Sequence, residues 1–537
     1  MKLEKMKWVS FYKGVLYPEG LSKLGFFKPE AIDPLLFLCL FSILAFGCAE
    51  KAQTPPPNQP PNIVIIYVDD LGYGDLESYG AQGVSTPAVD KMAANGIRFT
   101  DAHSAAATCT PSRYALLTGE FAFRRQAKVL KGDAPLLIEP NSYTLPSMLK
   151  KAGYRTGVVG KWHLGLGDGN VDWNAAVKPG PLEVGFDYAF LLPATGDRVP
   201  CVYLENHHIV ALDTADPIQV SYEEPLRERL IASENPEAVR YLGDPQHSNT
   251  IVNGVGRIGY MSGGESALWV DEDFPNIFTQ KAKDFITASQ NAPFFLFFSL
   301  HDIHVPRLPA ERFQGKSSMG LRGDAIAQMD WMSGEIIKQL EALHLDQETL
   351  VIFTSDNGPV LNDGYEDQAV ELLGKHDPAG GYRGGKYSAY EAGTRVPMIA
   401  YWPGHIQAGV SSALINQTDL YASIASLLQK PLAHNEAMDS QDVLPALLKA
   451  EKAGTEYLLE ESFTLSLRQG DWKYIEPSTN SGAWIAGKGI EGGLQPEAQL
   501  YDLSQDPSEQ SNLAPQQPER VKSMQAKIDE IRLQKTR

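Results

Sequence analysis

Cys109, Pro111 and Arg113 stand two residues apart in the run 105–119, A-A-A-T-C-T-P-S-R-Y-A-L-L-T-G. Small residues lead into the cysteine, and Leu116-Leu117-Thr118-Gly119 predicts a short helix closed by its glycine. A cysteine at or near a helix N-terminus sits in positive potential, which favours its anionic form and the binding of an anion beside it. Arg113, one turn further on, adds a fixed charge on the same side. The chemistry on offer is anion binding next to a reactive sulfur. A free cysteine is more often a small buried apolar residue, so the rest of the chain must decide.

Four more polar clusters stand where predicted strands end: Asp69-Asp70, Lys161 with His163, His301 with His304, and Asp356-Asn357. The strands are read at 62–68 (N-I-V-I-I-Y-V), 154–159, 294–300 and 350–354, as apolar runs rich in β-branched or aromatic residues and of the kind buried on both faces. Helices are expected at 86–96, with Thr86 as N-cap, Pro87 at its first position and Gly96 as stop, at 144–152, and at 323–344. Short strands are read at 97–100 and 396–398, and the residues between about 165 and 275 as irregular. A glycine-rich loop carries Gly384-Gly385-Lys386 into Tyr390-Glu391-Ala392-Gly393-Thr394-Arg395. Strands alternating with helices predict an α/β fold, a large mostly parallel sheet covered by helices on both faces. Open sheets of this kind bind ligands at the carboxyl ends of their strands. Each cluster alone is an ordinary turn or cap; together, at strand ends, they predict one site.

Asp69, Asp70, Asp356 and Asn357 offer only oxygen donors, which suit a hard cation. An all-protein carboxylate cage fits Ca2+ better than Mg2+, which keeps more of its water.

The order of these motifs resembles that of the type I sulfatases, members of the alkaline phosphatase superfamily that include arylsulfatases and carbohydrate sulfatases. The likeness runs from about residue 61 to the C-terminus: an early D-D, C-x-P-x-R, G-K-W-H-L-G, H-x-P at 304–306, D-N-G, and G-K with Y-E-x-G-x-R-x-P. Ala392 stands where the family more often has a second glycine. The resemblance implies that Cys109 is converted to formylglycine by a maturation enzyme, and that this residue joins Asp69, Asp70, Asp356 and Asn357 around Ca2+. It implies that Arg113 and Lys161 hold the aldehyde hydrate and the sulfate, and that His304 touches the sulfate. Lys386 or His304 would help the alcohol leave, and His163 would take the proton that regenerates the aldehyde. The implied activity is hydrolysis of sulfate esters, on a sulfated carbohydrate. The local sequences P-S-R-Y-A-L-L-T-G-E-F-A-F-R and V-Y-L-E-N are similar to those of carbohydrate sulfatases, and this resemblance implies exo-action on galactose or N-acetylgalactosamine 6-sulfates. Loop residues His103, Asp197, Arg198, His207, His301 and Arg322 are candidates for substrate contacts.

The chain has 537 residues, enough for a large domain and a smaller one. The net charge of -19, without a basic stripe, argues against nucleic acid as partner. Residues 35–47 form an apolar run of signal-peptide length, preceded by Lys23 and Lys28 and followed by Cys48. This is similar to a bacterial lipoprotein signal with Cys48 as the lipidated residue, so the protein is expected to be exported, to the periplasm or the outer membrane or cell surface through a lipid anchor, or secreted. The division expected is a signal region 1–48, a Pro-rich tether 49–61, a catalytic α/β domain 62–414 and a smaller α+β domain 415–537, with a hairpin near 467–475 and a final helix. Two of the four cysteines, Cys109 and Cys201, fall in the folded part, leaving open a bridge that would defeat the formylglycine reading. Two other readings stand beside the sulfatase: a phosphonate or phosphodiester hydrolase of the same superfamily, and a glycan-binding lipoprotein with a dead site.

Overall fold

The computed structural model describes residues 60–485 and 487–537. The expected signal region with Cys48, and all of the tether except its last two residues, lie outside the described residues. Ten strands build the main sheet: β1 (Asn62–Val68), β2 (Ile97–Phe99), β3 (Arg155–Lys161), β4 (Tyr188–Leu192), β5 (Leu204–Glu205), β6 (His208–Ile209), β7 (Phe294–Ser299), β8 (Thr349–Ser355), β9 (Met398–Tyr401) and β10 (Gly409–Ser411). Their order across the sheet is β10-β2-β9-β8-β1-β7-β3-β4-β5-β6. The five central strands, β8-β1-β7-β3-β4, all run parallel. Toward both edges the pairing turns antiparallel, through β9 on one side and β5 on the other. The sheet is therefore mixed, parallel through its centre and again in the β10–β2 pair at one edge. There β1, β7 and β8 are buried along their whole length, as unbroken apolar runs demand.

Helices flank the sheet in two groups. One comprises α1 (Pro87–Asn95), α4 (Phe274–Ser289) and α5 (Gly320–Ala342); the other α2 (Cys109–Thr118), α3 (Leu145–Lys151), α6 (Leu420–Leu427) and α7 (Leu444–Leu448). Helix α4 begins where the irregular stretch was expected to end. Its Phe274, Phe278, Ala282, Phe285 and Ile286 are buried, a helical stripe that packs on β3 and β7.

A second, antiparallel sheet follows: β11 (Tyr457–Glu461), β12 (Leu465–Gln469), β13 (Trp472–Ile475) and β14 (Gln499–Asp502), paired in that order. The turn between β12 and β13 is Gly470-Asp471, with Gly470 at φ 57°. Helix α8 (Pro518–Leu533) lays Met524, Ile528 and Ile531 against this sheet, in a small core that also takes in Ala115 and Phe121. Ile415, Leu420, Ile424 and Leu447 belong instead to the core of the main sheet.

Candidate active site

The four central strands β8, β1, β7 and β3 end side by side, and each delivers polar residues at its carboxyl end. Asp69 and Asp70 follow β1, Lys161 closes β3 with His163 two residues on, His301 and His304 follow β7, and Asp356 and Asn357 follow β8. All eight are buried. Helix α2 starts at Cys109 and brings its first turn over these strand ends. Gly160, at φ 115°, lets β3 turn into the site: a Cβ there would lie 1.8 Å from the Ser299 carbonyl oxygen.

Charge is distributed tightly. Arg113 donates from Nε and Nη2 to Asp356 Oδ2, at 3.0 and 2.8 Å. Lys161 Nζ donates to Asp69 Oδ2. Lys386 Nζ reaches both Asp70 Oδ2, at 2.9 Å, and Asp363 Oδ2, at 2.8 Å. Four buried carboxylates thus face three buried cations, one negative charge in excess. Burial and the neighbouring Asp356 push the Asp69 carboxyl well up, and burial also raises Asp70. Burial would raise Asp356 as well, but Arg113, Lys161 and Lys386 hold it below the usual carboxylate range.

Oxygens of Asp69, Asp70 and Asp356 lie within 4.8 Å of one another. Asp69 Oδ1 and Asn357 Oδ1 are buried with no hydrogen-bond partner. Two unpaired acceptors beside converging carboxylates are what a cation would satisfy. The cluster therefore fits a metal ion. His301 and His304 each bring a ring nitrogen within 4.8 Å of an Asp69 oxygen, a grouping that takes in neither Asp70 nor Asp356.

His163 faces the cysteine: Nδ1 lies 3.2 Å from Cys109 Sγ, while Nε2 donates to the Leu130 carbonyl at 3.0 Å. That second bond places the proton on Nε2 and leaves the Nδ1 lone pair toward position 109. Burial, Lys161 and Arg198 hold the imidazole well below its ordinary range, so it is neutral. Burial raises the Cys109 thiol, and the nearby Lys161 and Lys386 do not reverse this. The expected thiolate at the helix start is thus not favoured: desolvation outweighs the helix terminus. Cys109 and Cys201 are both free, which removes the bridge. His301 carries two unpartnered ring nitrogens and is pushed down to about 3, first by burial and then by Lys161. His304 Nδ1 donates to the Val305 carbonyl, leaving Nε2 3.8 Å from Asp70 Oδ2.

A cavity of about 320 Å3 opens above Cys109, His304 and Lys386. Asp197 and Arg198 line it and pair with each other at 2.7 Å. The other loop candidates lie elsewhere. His103 is fully buried between the two sheets among Asp101, Glu391 and Glu460. His207 pairs with Glu183 at 2.9 Å. Arg322 is held by both oxygens of Asp75, at 2.8 and 2.7 Å. Each pairs with protein carboxylates, and none lines the catalytic cavity.

Sequence reading missed several residues of the site. Asp363 shares Lys386; His247 bridges Asp197 and Asp244; Lys488 reaches Asp244 at 3.0 Å; Tyr387 and Trp484 wall the cavity. They come singly from loops, Trp484 and Lys488 from the connection between β13 and β14, without a motif. Only Tyr387, adjacent to Lys386, stood near a recognisable pattern. Three non-glycine residues of the site, Asp70, His163 and Tyr387, have φ between 54° and 71°, the sparsely occupied geometry that clusters where function fixes the backbone.

Comparison with known proteins agrees with this geometry. A Bacteroides thetaiotaomicron N-acetylgalactosamine-6-O-sulfatase is 49% identical over 495 residues, 91% of this chain and 97% of that protein. Human arylsulfatase A is 32% identical, covering 85% of this chain and 83% of its own. A solved B. thetaiotaomicron sulfatase structure, reported with the metabolism of multiple glycosaminoglycans, superposes with a TM-score of 0.86 at 49% identity, over 88% of this chain and 99% of that one. A phosphonate monoester hydrolase of Agrobacterium radiobacter, 16% identical with a TM-score of 0.54, shares the fold alone. The sulfatase family profile matches residues 61–430. The chain belongs to the sulfatase family and is a sulfuric ester hydrolase.

Proposed function

We propose that this enzyme removes the 6-O-sulfate of N-acetylgalactosamine at the end of a glycan chain, using Ca2+ and a formylglycine made from Cys109. The observation that carries the substrate is the 49% identity, over almost the full length of both chains, to an N-acetylgalactosamine-6-O-sulfatase. A cavity of about 320 Å3 suits one sugar ring rather than the middle of a polymer, in support of exo-action.

Asp69, Asp70, Asp356 and the Asn357 carbonyl oxygen would hold the ion together with residue 109. A divalent cation would turn the excess negative charge of the buried groups into a net positive one, which an anionic sulfate ester requires, and would polarise the sulfuryl oxygens. Oxygen donors favour Ca2+ here over Mg2+, whose strict octahedron keeps water. Hydrated formylglycine would supply an oxygen nucleophile with a second hydroxyl that can give up a proton, which a buried thiol of raised pKa does not offer.

The chain's own residues have separable tasks. Lys386 and His304 line the space above position 109 and, with Lys161 buried close by on Asp69, would bind the sulfuryl oxygens as charge builds on them. His301, with no internal partner, adds a free donor on the same side. Lys386 Nζ can pass a proton toward the departing sugar oxygen, because Asp70 and Asp363 hold its ammonium in place. His163 Nδ1, unprotonated and aimed at residue 109, is placed to accept the proton that residue releases. Arg113 is occupied by Asp356 and the Ser299 hydroxyl, so it anchors the acids rather than waiting for substrate.

Cys109 is 2% exposed, so a formylglycine-generating enzyme would act before the domain closes. We also propose export with lipidation at Cys48; the apolar run 35–47 and the proline-rich stretch behind it support this. Among the described residues no helix is long and apolar enough to cross a membrane.

The test is release of sulfate from N-acetylgalactosamine 6-sulfate by protein from a host with maturation machinery, beside the 4-sulfate and a phosphonate monoester. In the same preparation, the tryptic peptide 99–113 should be about 18 mass units lighter than its cysteine form, the mark of the covalent nucleophile. Release from the 4-sulfate or phosphonate alone would overturn the substrate, and an unmodified peptide in an active enzyme would overturn the chemistry.

A further inference from the structure

A second cavity, of about 840 Å3, opens beside the catalytic one. The two share Val129 and Trp484, and Thr108 and Pro111, close on either side of Cys109, belong to the wall of the second. Tyr387, Trp484 and Phe463 step from one cavity into the other, with ring centroids 6.3 and 5.7 Å apart. Trp484 keeps 40% of its surface in solvent, an apolar face with a polar edge of the kind proteins use at recognition surfaces.

The polar side of this groove narrows the ligand. Its Arg532 is neutralised by Glu476, at 2.8 Å. Glu461 Oε2, in the groove wall, is buried with no hydrogen-bond partner, and burial pushes that carboxyl up to about 8. Ser462, Asn480 and Ser481 supply neutral donors and acceptors. Aromatic faces, hydroxyls and a carboxyl seeking a partner match the two sides of a pyranose, whose C–H faces stack and whose hydroxyls bond.

We propose that this groove binds the sugar residues that follow the sulfated one, so that the enzyme grips an oligosaccharide and not only its terminal ring. The assignment rests on the glycan reading above and adds a site to it. The groove begins at the mouth of the catalytic cavity, where the rest of a chain must leave once its terminal sugar is seated.

The experiment compares N-acetylgalactosamine 6-sulfate with a tetrasaccharide carrying that sugar at its non-reducing end, using matured enzyme. For the native protein kcat/KM should be about tenfold or more higher on the tetrasaccharide, the scale of one well-placed aromatic contact. Phe463→Ala should erase most of that advantage through KM, and calorimetry with the unsulfated tetrasaccharide should show its binding weakened to match. Equal kcat/KM on both substrates overturns the groove while leaving the glycan reading intact. A Phe463→Ala loss shared in proportion by both substrates, or unchanged calorimetric binding, overturns it too. If neither substrate releases sulfate, the glycan reading falls and the groove falls with it.

Discussion

Replacing Cys109 by alanine is expected to abolish sulfate release, by more than ~10^3-fold, because no other group can form the covalent bond to sulfur. The fold should survive, since alanine fills most of the space of a small buried thiol. A steady-state assay beside a melting curve checks both halves. The four buried carboxylates give a second expectation. Stripping divalent metal with a chelator should lower the melting temperature, and Ca2+ should restore it, because the proposed ion would bind only the folded cluster. Asp356→Asn should shrink that shift and leave Arg113 with less to hold it. At this scale the sequence was legible where residues come in runs. D-D, C-x-P-x-R, G-K-W-H and D-N-G each fall at a strand or helix end, and the structure brings all of them together. Isolated polar residues were not legible. His103 and Arg322 look like Asp197 and Arg198 on the page, yet two of these pairs' members are locked in internal ion pairs and two face the cavity. Only the three-dimensional partner separates them.

Asp330 illustrates how elements hold one another. This residue of α5 accepts from the backbone N–H groups of Ala88 and Val89, at 3.2 and 2.8 Å, and so serves the first turn of α1, whose own Thr86 makes no capping bond. Burial pushes the Asp330 carboxyl up to about 6. A carboxyl raised on folding favours the protonated form, so its contribution is greatest at acid pH and is lost as pH rises from about 4 through 6. Asp330→Asn should therefore flatten the pH dependence of the melting temperature across that window. A slope identical to the native protein's would contradict the raised value. Gly160→Ala should be far worse, since the new Cβ would strike the Ser299 carbonyl and displace Lys161; loss of soluble protein or of activity is the expected readout. Most elements were readable from period and punctuation, as β1, β7, β8 and the β12–β13 hairpin show. Helix α4 was hidden because it follows a long irregular stretch, although its buried stripe has ordinary helical spacing. The outer strands of the main sheet are only two to four residues long, too short to carry a pattern.

The whole molecule is held together by buried charge as well as by apolar surface. Lys473 of the second sheet meets Glu391 and Glu460, each at 3.1 Å, and Arg468 meets Asp101 at 3.3 Å and Glu391 more closely. Glu391 lies on the segment just after Lys386, so the second sheet is tied to the loop that carries the ammonium held by Asp70 and Asp363. Lys473→Met should cost about 3–5 kcal/mol, the usual result of leaving buried carboxylates without their cation, with lowered stability toward urea as the measurement. None of this was legible: the residues lie up to 367 positions apart, as Arg468 and Asp101 show, and a charge in sequence does not announce its burial. The order in which strands enter the main sheet has a consequence for time. Arg113, in the first turn of α2, finds Ser299 186 residues further along the chain and Asp356 243 residues further. At about 5–20 residues per second, the ribosome needs roughly ten to fifty seconds to supply those partners. Throughout that interval the helix carrying Cys109 has no floor to settle on. If Cys109 is converted to formylglycine as proposed, the central placement of β7 and β8 would act as a clock, keeping the thiol within reach of the modifying enzyme until most of the main-sheet domain has been made.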